Sequence, residues 1–328
     1  MPDSAELIEA FDARARRRDF FKSVVGAAVV GAGGFAFANA AQAQTVTDAD
    51  VLNFALNLEY LEAQFYSFAF FGTGLANGDL TGVTGATGAR GEVVGGRAVT
   101  FQDPVVRQYA REIAQDEIAH VKFLRTALGA AAVAQPQIDI RGGAGGPFAA
   151  AAVAAQVPGG ANFDPYADDD SFLLGAYIFE DVGVTAYKGA SPLITNNAFL
   201  DAAAGILAVE AFHAGIVRGA LYARGVNTPA LRTNADLISN ARDSLDGTTG
   251  AAADLDQGIS PVPTALTTSA GTTTAPASNF VPTDANGITY SRTTGQVLNI
   301  VYLNRAAVTM GGFFPAGVNG TIKTSAAN

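Results

Sequence analysis

Apolar residues recur at helical spacing over four separate stretches of the chain. In the first stretch Leu52, Leu56, Ala63 and Tyr66 fall on one face of a helix, and Gly72 is placed to end it. Capping, acidic or proline residues begin the second and third stretches, and a glycine follows all four. The pattern therefore predicts four helices, over about 48–71, 103–128, 171–188 and 197–224.

The connections between these helices predict how they are arranged. A glycine-rich loop over 72–102 joins the first two helices, and a longer segment over 130–167 joins the second to the third. The longer segment is able to run the length of a bundle. We therefore predict an all-α fold, a four-helix bundle with one long crossover that occupies 48–225.

The last hundred residues show a weaker pattern. Residues 247–289 are rich in Thr, Ala, Gly, Pro and Ser and are predicted to be irregular, whereas 294–303 is predicted to form one short helix. The aromatic, turn-forming sequence at 311–315 is suited to packing against the bundle. We predict that 226–328 is a mostly irregular C-terminal extension that packs on the bundle.

The first 43 residues have the features of a targeting segment. The sequence Arg-Arg-Asp-Phe-Phe-Lys at 17–22 resembles the twin-arginine export signal of bacteria, and an apolar stretch over 23–38 follows it. Ala41-Gln42-Ala43 then forms a small-x-small cleavage site. We predict export to the periplasm or the extracellular space, cleavage after Ala43 and no membrane contact afterwards; an uncleaved membrane anchor is the alternative. The twin-arginine route carries folded proteins, often with a cofactor already loaded, which favours a bound metal or prosthetic group.

The composition excludes several kinds of site. Cysteine is absent, which excludes disulfides, iron–sulfur clusters, thiolate zinc sites and cysteine nucleophiles. The formal net charge of −10 leaves no basic surplus to meet phosphates, so no nucleic-acid partner is predicted. Histidine occurs only twice, so a Ser-His-Asp triad would have to use one of those two residues.

Both histidines of the chain stand three residues after a glutamate, as Glu117–His120 and Glu210–His213. Residues three apart share one face of a helix, so each pair is able to reach a single point. With nine glutamates in the whole chain, random placement would produce both pairs about once in a thousand sequences. The alternative is a surface salt-bridge pair on each helix, but both pairs lie on the apolar face.

An internal repeat extends this pattern to the other two helices. Aligning Glu59 with Glu180 superimposes the apolar stripes of the first and third helices, with a tyrosine seven residues later in both. Aligning Glu117 with Glu210 superimposes the stripes of the second and fourth helices in the same way. The two halves are therefore predicted to be related by pseudo-twofold symmetry, with a glutamate in the middle of each buried stripe.

Four ionised carboxylates inside one bundle require compensation, because an isolated buried charge costs many kcal/mol. Two divalent cations would balance the charge of the four glutamates, and two neutral imidazoles would complete the set without adding charge. Protons in place of the metals would also close the balance. For Glu59 and Glu180, a buried carboxyl paired with an arginine is the alternative.

The sequence Leu-Glu-Tyr-Leu-Glu-Ala-Gln-Phe-Tyr at 58–66 resembles the first helix of ferritin-like domain proteins, especially the exported bacterial and plant group named after desiccation-related proteins. The sequence at 311–320 resembles the C-terminus of that group. The resemblance covers roughly 48–225, and the tail more loosely. It implies a ferritin-like bundle with a di-iron or dimanganese centre, built from one Glu on each of two helices and Glu-x-x-His on each of the other two.

The resemblance also implies a role for each residue of this centre. Two glutamates would be terminal ligands, two would bridge the metals, and each histidine would complete the ligand set of one metal. In that order, the residues are Glu59 and Glu180, Glu117 and Glu210, and His120 and His213.

Three further residues lie close to these ligands in the sequence. Tyr66 and Tyr187 would donate hydrogen bonds to the ligands, with plain core packing as the alternative. Glu62 lies one turn from Glu59 and is a further candidate ligand, which would replace Glu59 or join it, with a solvated or edge position as the alternative. Its counterpart in the third helix is Gly183, and the repeat therefore favours Glu59.

A site of this kind predicts two divalent metal ions, iron or manganese, with zinc also compatible. No haem is predicted. A haem of the bacterioferritin kind needs an axial methionine in the bundle, and after signal removal the remaining methionine, Met310, lies outside it. The predicted function is redox chemistry on H2O2 or O2 in stress protection, either catalase-like or as a di-iron oxidase or peroxidase. The alternative is a structural, desiccation-protective envelope protein in which the metals only stabilise the bundle. A homo-oligomer is compatible with both, and the pattern does not assign catalytic residues.

Overall fold

A computed structural model of the chain describes residues 46–82, 90–247 and 254–328. The predicted export signal over 1–43 lies outside these residues, as does part of the glycine-rich loop. The described residues are predominantly α-helical, and this confirms the predicted all-α, bundle-type fold class.

Helices account for most of the regular structure. Two short strands pair in parallel, and two longer strands pair antiparallel as a hairpin. The helices are α1 (Asp48–Phe71), α2 (Pro104–Leu128), α3 (Pro147–Ala154), α4 (Asp169–Tyr177), α5 (Glu180–Ala190), α6 (Asn197–Arg224), α7 (Ala230–Asp246) and α8 (Thr294–Val301). The strands are β1 (Val93–Gly95), β2 (Ile138–Ile140), β3 (Val262–Thr268) and β4 (Gly271–Ala277).

The ends of α1 and α2 follow from local chemistry. Thr47 caps α1 in a capping box with Asp50, and Gly72 ends it in the left-handed conformation at φ 73°. The Asp103 side chain accepts hydrogen bonds from the first backbone N–H groups of α2. In the bundle, α1 packs mainly on α2 and α5 packs mainly on α6.

The third predicted helix is interrupted, so the prediction of one helix over 171–188 was wrong. Between α4 and α5 the chain makes a tighter turn, in which Phe179 N–H donates to the Ala176 carbonyl at 2.9 Å and Val182 N–H donates to the Phe179 carbonyl at 2.8 Å. The Tyr177 carbonyl accepts a hydrogen bond from the buried Arg242 guanidinium of α7. Apolar periodicity did not reveal this interruption, because the group that contacts it lies far along the chain.

The extension contains more regular structure than its sequence predicted. Leu231, Ala235 and Ile238 are buried at helical spacing and form the inner face of α7, a helix that the prediction omitted. The hairpin β3–β4 lies within 247–289, which was predicted to be irregular. Threonine-rich, β-branched sequence favours extended backbone, and this signal was outweighed by the Gly and Pro content. In the crossover segment, α3 was likewise not predicted.

The tail of the extension packs on the bundle. The Phe313 ring contacts the rings of Phe148 and Phe179, with centroids 5.1 and 4.9 Å apart. Asn57 of α1 exchanges two hydrogen bonds with the backbone of Asn319, at 2.8 and 2.9 Å. These contacts cover the bundle at the crossover and at α1.

A buried ion network joins the extension to α5 and α6. Its three arginines are at most 2% exposed and its three aspartates at most 4%. Each arginine has a nitrogen within 2.9 Å of an oxygen of at least one of the aspartates. Burial alone would raise the pKa of Asp256, but Arg242 and Arg292 lower it to about 2. The members are Arg218, Arg242 and Arg292 with Asp181, Asp246 and Asp256.

Replacing Arg242 by methionine is expected to lower the free energy of unfolding by about 3–5 kcal/mol, because the change leaves buried carboxylates without their partner. Urea unfolding followed by circular dichroism measures this loss. Arg224→Met is the control, because Arg224 pairs with two partly exposed aspartates at the surface and such pairs contribute about 0–1 kcal/mol. Equal losses in both variants would contradict the expectation.

One described helix, α6, is long and apolar enough to cross a membrane by length and composition. Its inner face, however, carries Glu210, His213 and Arg218, all of which are buried against other helices of the same chain. Burial of these polar groups is the arrangement of a bundle helix.

Candidate metal centre

The six predicted ligands converge in the middle of the bundle. The helices α1 and α5 each supply one glutamate, and α2 and α6 each supply a Glu-x-x-His pair. All six are buried, with exposed fractions of at most 8%. They are Glu59, Glu117, His120, Glu180, Glu210 and His213.

One group of ligand atoms surrounds the imidazole of His120. Its Nδ1 lies 3.1 Å from Glu59 Oε2, 3.6 Å from Glu117 Oε2 and 3.7 Å from Glu210 Oε1. One atom from each of these four residues lies within 4.8 Å of all the others. Three carboxylates and an imidazole nitrogen at this spacing are able to surround one metal ion.

A second group surrounds the imidazole of His213. Its Nδ1 lies 3.0 Å from Glu117 Oε1 and 3.6 Å from Glu180 Oε2. Atoms of Glu180, Glu210 and His213 lie within 4.8 Å of one another. Glu117 therefore directs one oxygen toward each histidine, and Glu210 belongs to both groups, which is the placement that bridging ligands need.

The centre contains buried polar atoms without hydrogen-bond partners, and such atoms are rare unless a metal, an ion or water satisfies them. Among the described residues, both carboxylate oxygens of Glu117 and of Glu210 have no such partner. The same holds for Glu180 Oε2 and for His213 Nδ1, whose 3.0 Å contact with Glu117 Oε1 is not aligned as a hydrogen bond. No lysine or arginine of the described part of the chain pairs with these glutamates, and two divalent cations fit this donor set.

The ionisation of the metal-free centre shows the same need for positive charge. Burial raises the pKa of Glu59 to about 7 and that of Glu180 to about 8. Burial opposes protonation of His120 and His213, but the neighbouring glutamates raise the pKa of these imidazoles to about 11 and about 9. Burial would also raise the pKa of Glu117, yet its contacts with both imidazoles hold that pKa below the usual value. Without metal, protons supply the compensating charge.

Two buried tyrosines tie the two halves of the centre together. The Tyr66 hydroxyl of α1 donates a hydrogen bond to Glu180 of α5, and the Tyr187 hydroxyl of α5 donates one to Glu59 of α1. Burial raises the pKa of both phenols well above the usual value, so they remain donors. This reciprocal exchange is the pseudo-twofold relation that the repeat predicts.

Comparison with known proteins gives this arrangement a family. Residues 47–223 match the family described as ferritin-like domain. The chain belongs to this family. It is 30% identical over 281 residues to the ferritin-like catalase Nec2 of Nesocodon mauritianus, over 84% of each chain. It is 31% identical over 181 residues to the desiccation-related protein PCC13-62 of Craterostigma plantagineum, over 55% of each chain. No solved structure matches significantly, and the predicted family is confirmed.

Glu62 and Gly183 occupy matching places in the two halves of this ferritin-like centre but differ in what they do. Glu62 is buried, so the alternative of a solvated or edge position was wrong, and burial followed by the charge of Glu117 raises its pKa well above the usual value. It belongs to neither group of converging ligand atoms. At Gly183 a Cβ atom would collide with the carboxylate of Glu210. A side chain at 183 would therefore displace the Glu210 carboxylate, a predicted bridging ligand, from this position.

One residue of the centre, Asp116, was missed by the sequence reasoning. Its carboxylate lies 3.2 Å from His213 Nε2, on the side of the imidazole away from the glutamates. A carboxylate in this place fixes the orientation and tautomer of a metal-binding histidine. The repeat places Val209 at the equivalent position, so His120 has no matching support. The only available signal was the acidic residue directly before Glu117.

Replacing Asp116 by alanine is expected to weaken metal binding about 10- to 100-fold, the usual effect of removing such a support. Competition with a chromophoric chelator measures the affinity of each site. Val209→Ala is the control at the matching position of the other half and is expected to leave both affinities unchanged. Loss of affinity at the site of His120 alone would contradict the assignment.

Proposed function

We propose that this protein binds two iron or manganese ions between its four central helices and disproportionates hydrogen peroxide after export. The observation that carries the proposal is the set of four buried glutamates and two imidazoles, several of whose atoms have no hydrogen-bond partner among the described residues. Oxygen and imidazole donors of this kind suit iron and manganese. Zinc also accepts these donors but lacks redox chemistry.

Two arguments support this reaction, namely its electron balance and the name of a relative. A bound metal pair would exchange two electrons with peroxide. One peroxide is oxidised to dioxygen and a second is reduced to two water molecules, so no external reductant is required. An oxidase or a peroxidase would need a separate electron donor. The relative named a ferritin-like catalase, which matches 84% of this chain, supports the version without a donor.

The residues of the chain have definite tasks in this proposal. Glu117 and Glu210 lie between the two histidines and would hold both ions. Tyr66 and Tyr187 fix the two terminal glutamates by hydrogen bonds across the bundle. Glu62 is buried beside the centre and belongs to neither group of converging ligand atoms, so its carboxylate, once ionised, would accept a proton that the oxidation of peroxide releases.

The test is metal analysis of protein processed by its own host, combined with simultaneous recording of peroxide and dioxygen. The proposal expects two iron or manganese ions per chain and one dioxygen released for every two peroxides consumed. Peroxide loss without dioxygen, dependent on an added reductant, would replace it by a peroxidase. Absence of metal would overturn it.

A structural role is the second candidate, and it is supported by the relative named a desiccation-related protein. In that case metal binding would act as folding energy. It would be favoured by two metals per chain without turnover, together with a melting temperature that collapses on chelation.

Export by the twin-arginine route is a separate part of the proposal. It rests on the arginine-containing sequence at 17–22 and the cleavage site that ends at Ala43. N-terminal sequencing of the protein recovered from outside the cytoplasm is expected to begin at Gln44. A start at Met1 in a membrane fraction would replace cleavage by an anchor.

A further inference from the structure

The outer face of α6 is apolar and exposed. Between 202 and 219 the helix exposes no charged side chain, because Glu210 and Arg218 are both buried. Phe212 stands in the middle of this face with 72% of its surface exposed. The other exposed members of the face are small, namely Ala204, Gly205, Ala208 and Ala211.

The internal repeat supplies a control for this observation, because α2 occupies the matching place in the other half of the bundle. The matching positions on α2 are also turned outward, but there the face is charged and polar, as expected for a helix in water. Residues 204, 205, 208, 211, 212 and 215 of α6 are matched on α2 by Arg111, Glu112, Gln115, Ile118, Ala119 and Lys122, four of which are charged or polar. The same fold position is thus solvated in one half and apolar in the other, and this difference indicates that another surface covers α6.

The glycines of this face also indicate that another surface covers α6. Beside Gly205 and Gly215 there is open space, so nothing within the described chain requires them to lack a side chain. A glycine inside a helix costs roughly 0.5–1 kcal/mol relative to alanine. Close approach of a second backbone would require small residues here. Next to this face lies a mainly apolar groove of about 350 Å³, between α5, α6 and residues 280–290 of the extension.

Within the described part of the chain, the β3–β4 hairpin does not pack on any surface. Every residue of both strands is exposed, on both faces of the hairpin. An isolated two-stranded hairpin is marginally stable in water and presents unpaired edges. Its two ends are held at α6, where Arg218 Nη2 donates to the carbonyls of Gly258 and Asn279 at 2.8 and 2.9 Å. The hairpin therefore starts from the region of the chain that carries the apolar face.

We propose that the outer face of α6 binds the β3–β4 hairpin of a second copy of this chain, so that two copies exchange hairpins about a twofold axis. Such an arrangement uses the same two surfaces on both copies. It is independent of the chemistry at the metal centre.

Length and charge both favour a second copy as the occupant. A seven-residue strand is about 23 Å long. The part of α6 that exposes no charged side chain is about 25 Å long. The hairpin, residues 262–277, contains no charged residue. Two chains of net charge −10 repel each other except where uncharged surfaces meet. One hairpin on one helix face in each direction is a small interface, so the dimer is expected to be reversible.

The first test is the molar mass of the host-processed protein, by sedimentation equilibrium over a range of concentrations. The chain is expected to be a dimer, and Phe212→Glu is expected to weaken dimerisation at least about tenfold by placing a charge in the interface. Ala119→Glu is the matched control on α2 and is expected to leave the dimer intact. A monomer at all concentrations, or equal effects of both variants, would overturn the proposal.

The second test identifies the occupant, and the absence of native cysteine makes it clean. Chains with Ala208→Cys are mixed with chains carrying Leu266→Cys in the hairpin and are then oxidised. A disulfide between the two kinds of chain is expected. Cross-links only between two Ala208→Cys chains would show that α6 pairs with itself and would overturn the proposal. Binding of the monomer to phosphatidylcholine vesicles, without self-association, would replace it by a membrane surface.

Discussion

Glu117→Gln is expected to abolish metal retention and to lower peroxide consumption by more than about 100-fold. Removing a residue that only orients a ligand costs about 10- to 100-fold, and loss of the ligand itself is expected to cost more. Glu117 directs one oxygen toward each histidine, at 3.0 Å from His213 Nδ1 and 3.6 Å from His120 Nδ1. The amide replaces one of the two oxygens by an N–H donor that repels a cation, and it removes one of the four charges that balance two divalent ions. One metal would therefore lose this ligand, and the other would keep only a neutral amide oxygen in place of a carboxylate oxygen.

Metal content by elemental analysis and dioxygen release together measure this effect. Glu112→Gln is the matched control, because Glu112 lies on the same helix with its side chain exposed, and it is expected to behave as the unsubstituted protein. Circular dichroism shows whether the helices persist in both variants. If Glu117→Gln retained two metals and full turnover, the centre would have to lie elsewhere.

Removal of the metals is expected to make stability fall as pH rises, between about pH 5 and pH 9, whereas the loaded protein shows little change. In the metal-free centre the pKa values of Glu59 and Glu180 are about 7 and about 8, above the ordinary 4.5. A raised pKa means that the folded chain holds protons that the unfolded chain has released. This contribution to stability is therefore complete below the pKa of the unfolded chain and is lost as pH rises through the pKa of the folded chain.

The imidazoles add to this slope with the same sign. The pKa values of His120 and His213 are about 11 and about 9, above the ordinary 6.5. Each proton retained only in the folded state contributes about 1.4 kcal/mol per pH unit. Bound metal ions would take the place of these protons, so metal binding is expected to release protons and to remove the slope.

Thermal unfolding of chelated and loaded protein at several pH values checks this expectation. A variant with both Glu59→Gln and Glu180→Gln lacks the two raised carboxyl groups and is expected to show a shallower slope without metal. A metal-free protein that gains stability from pH 5 to pH 9 would contradict it.

Three of the four central helices and the convergence of the six predicted ligands were accessible from sequence because they follow from local rules. Apolar periodicity and glycine stops fix α1 and α2, and the spacing of Glu117 from His120 depends only on helix geometry. The pseudo-twofold relation is likewise written in the repeat, and the crossed hydrogen bonds of Tyr66 and Tyr187 follow it.

The features that escaped prediction depend on contacts between distant parts of the chain. The interruption before Glu180 is contacted by Arg242, and Asp116 supports a histidine on a different helix. Helix α7 escaped prediction for another reason. Its apolar residues do recur at helical spacing, but the sequence on both sides of it has a weaker apolar pattern, and this obscured the helix. Local patterns predict elements and ligand spacing, whereas interruptions and supports require the packed fold.

The contact between Arg242 and the turn before Glu180 has a consequence for the order of events during synthesis. The ribosome delivers Glu59, Glu117, Glu180 and Glu210 well before the arginine that contacts this turn, and Arg292 of the same ion network follows later still. A truncated chain would carry every ligand and yet lack the groups that brace α5. The centre is therefore expected to reach its final geometry only after the last part of the chain has been synthesised.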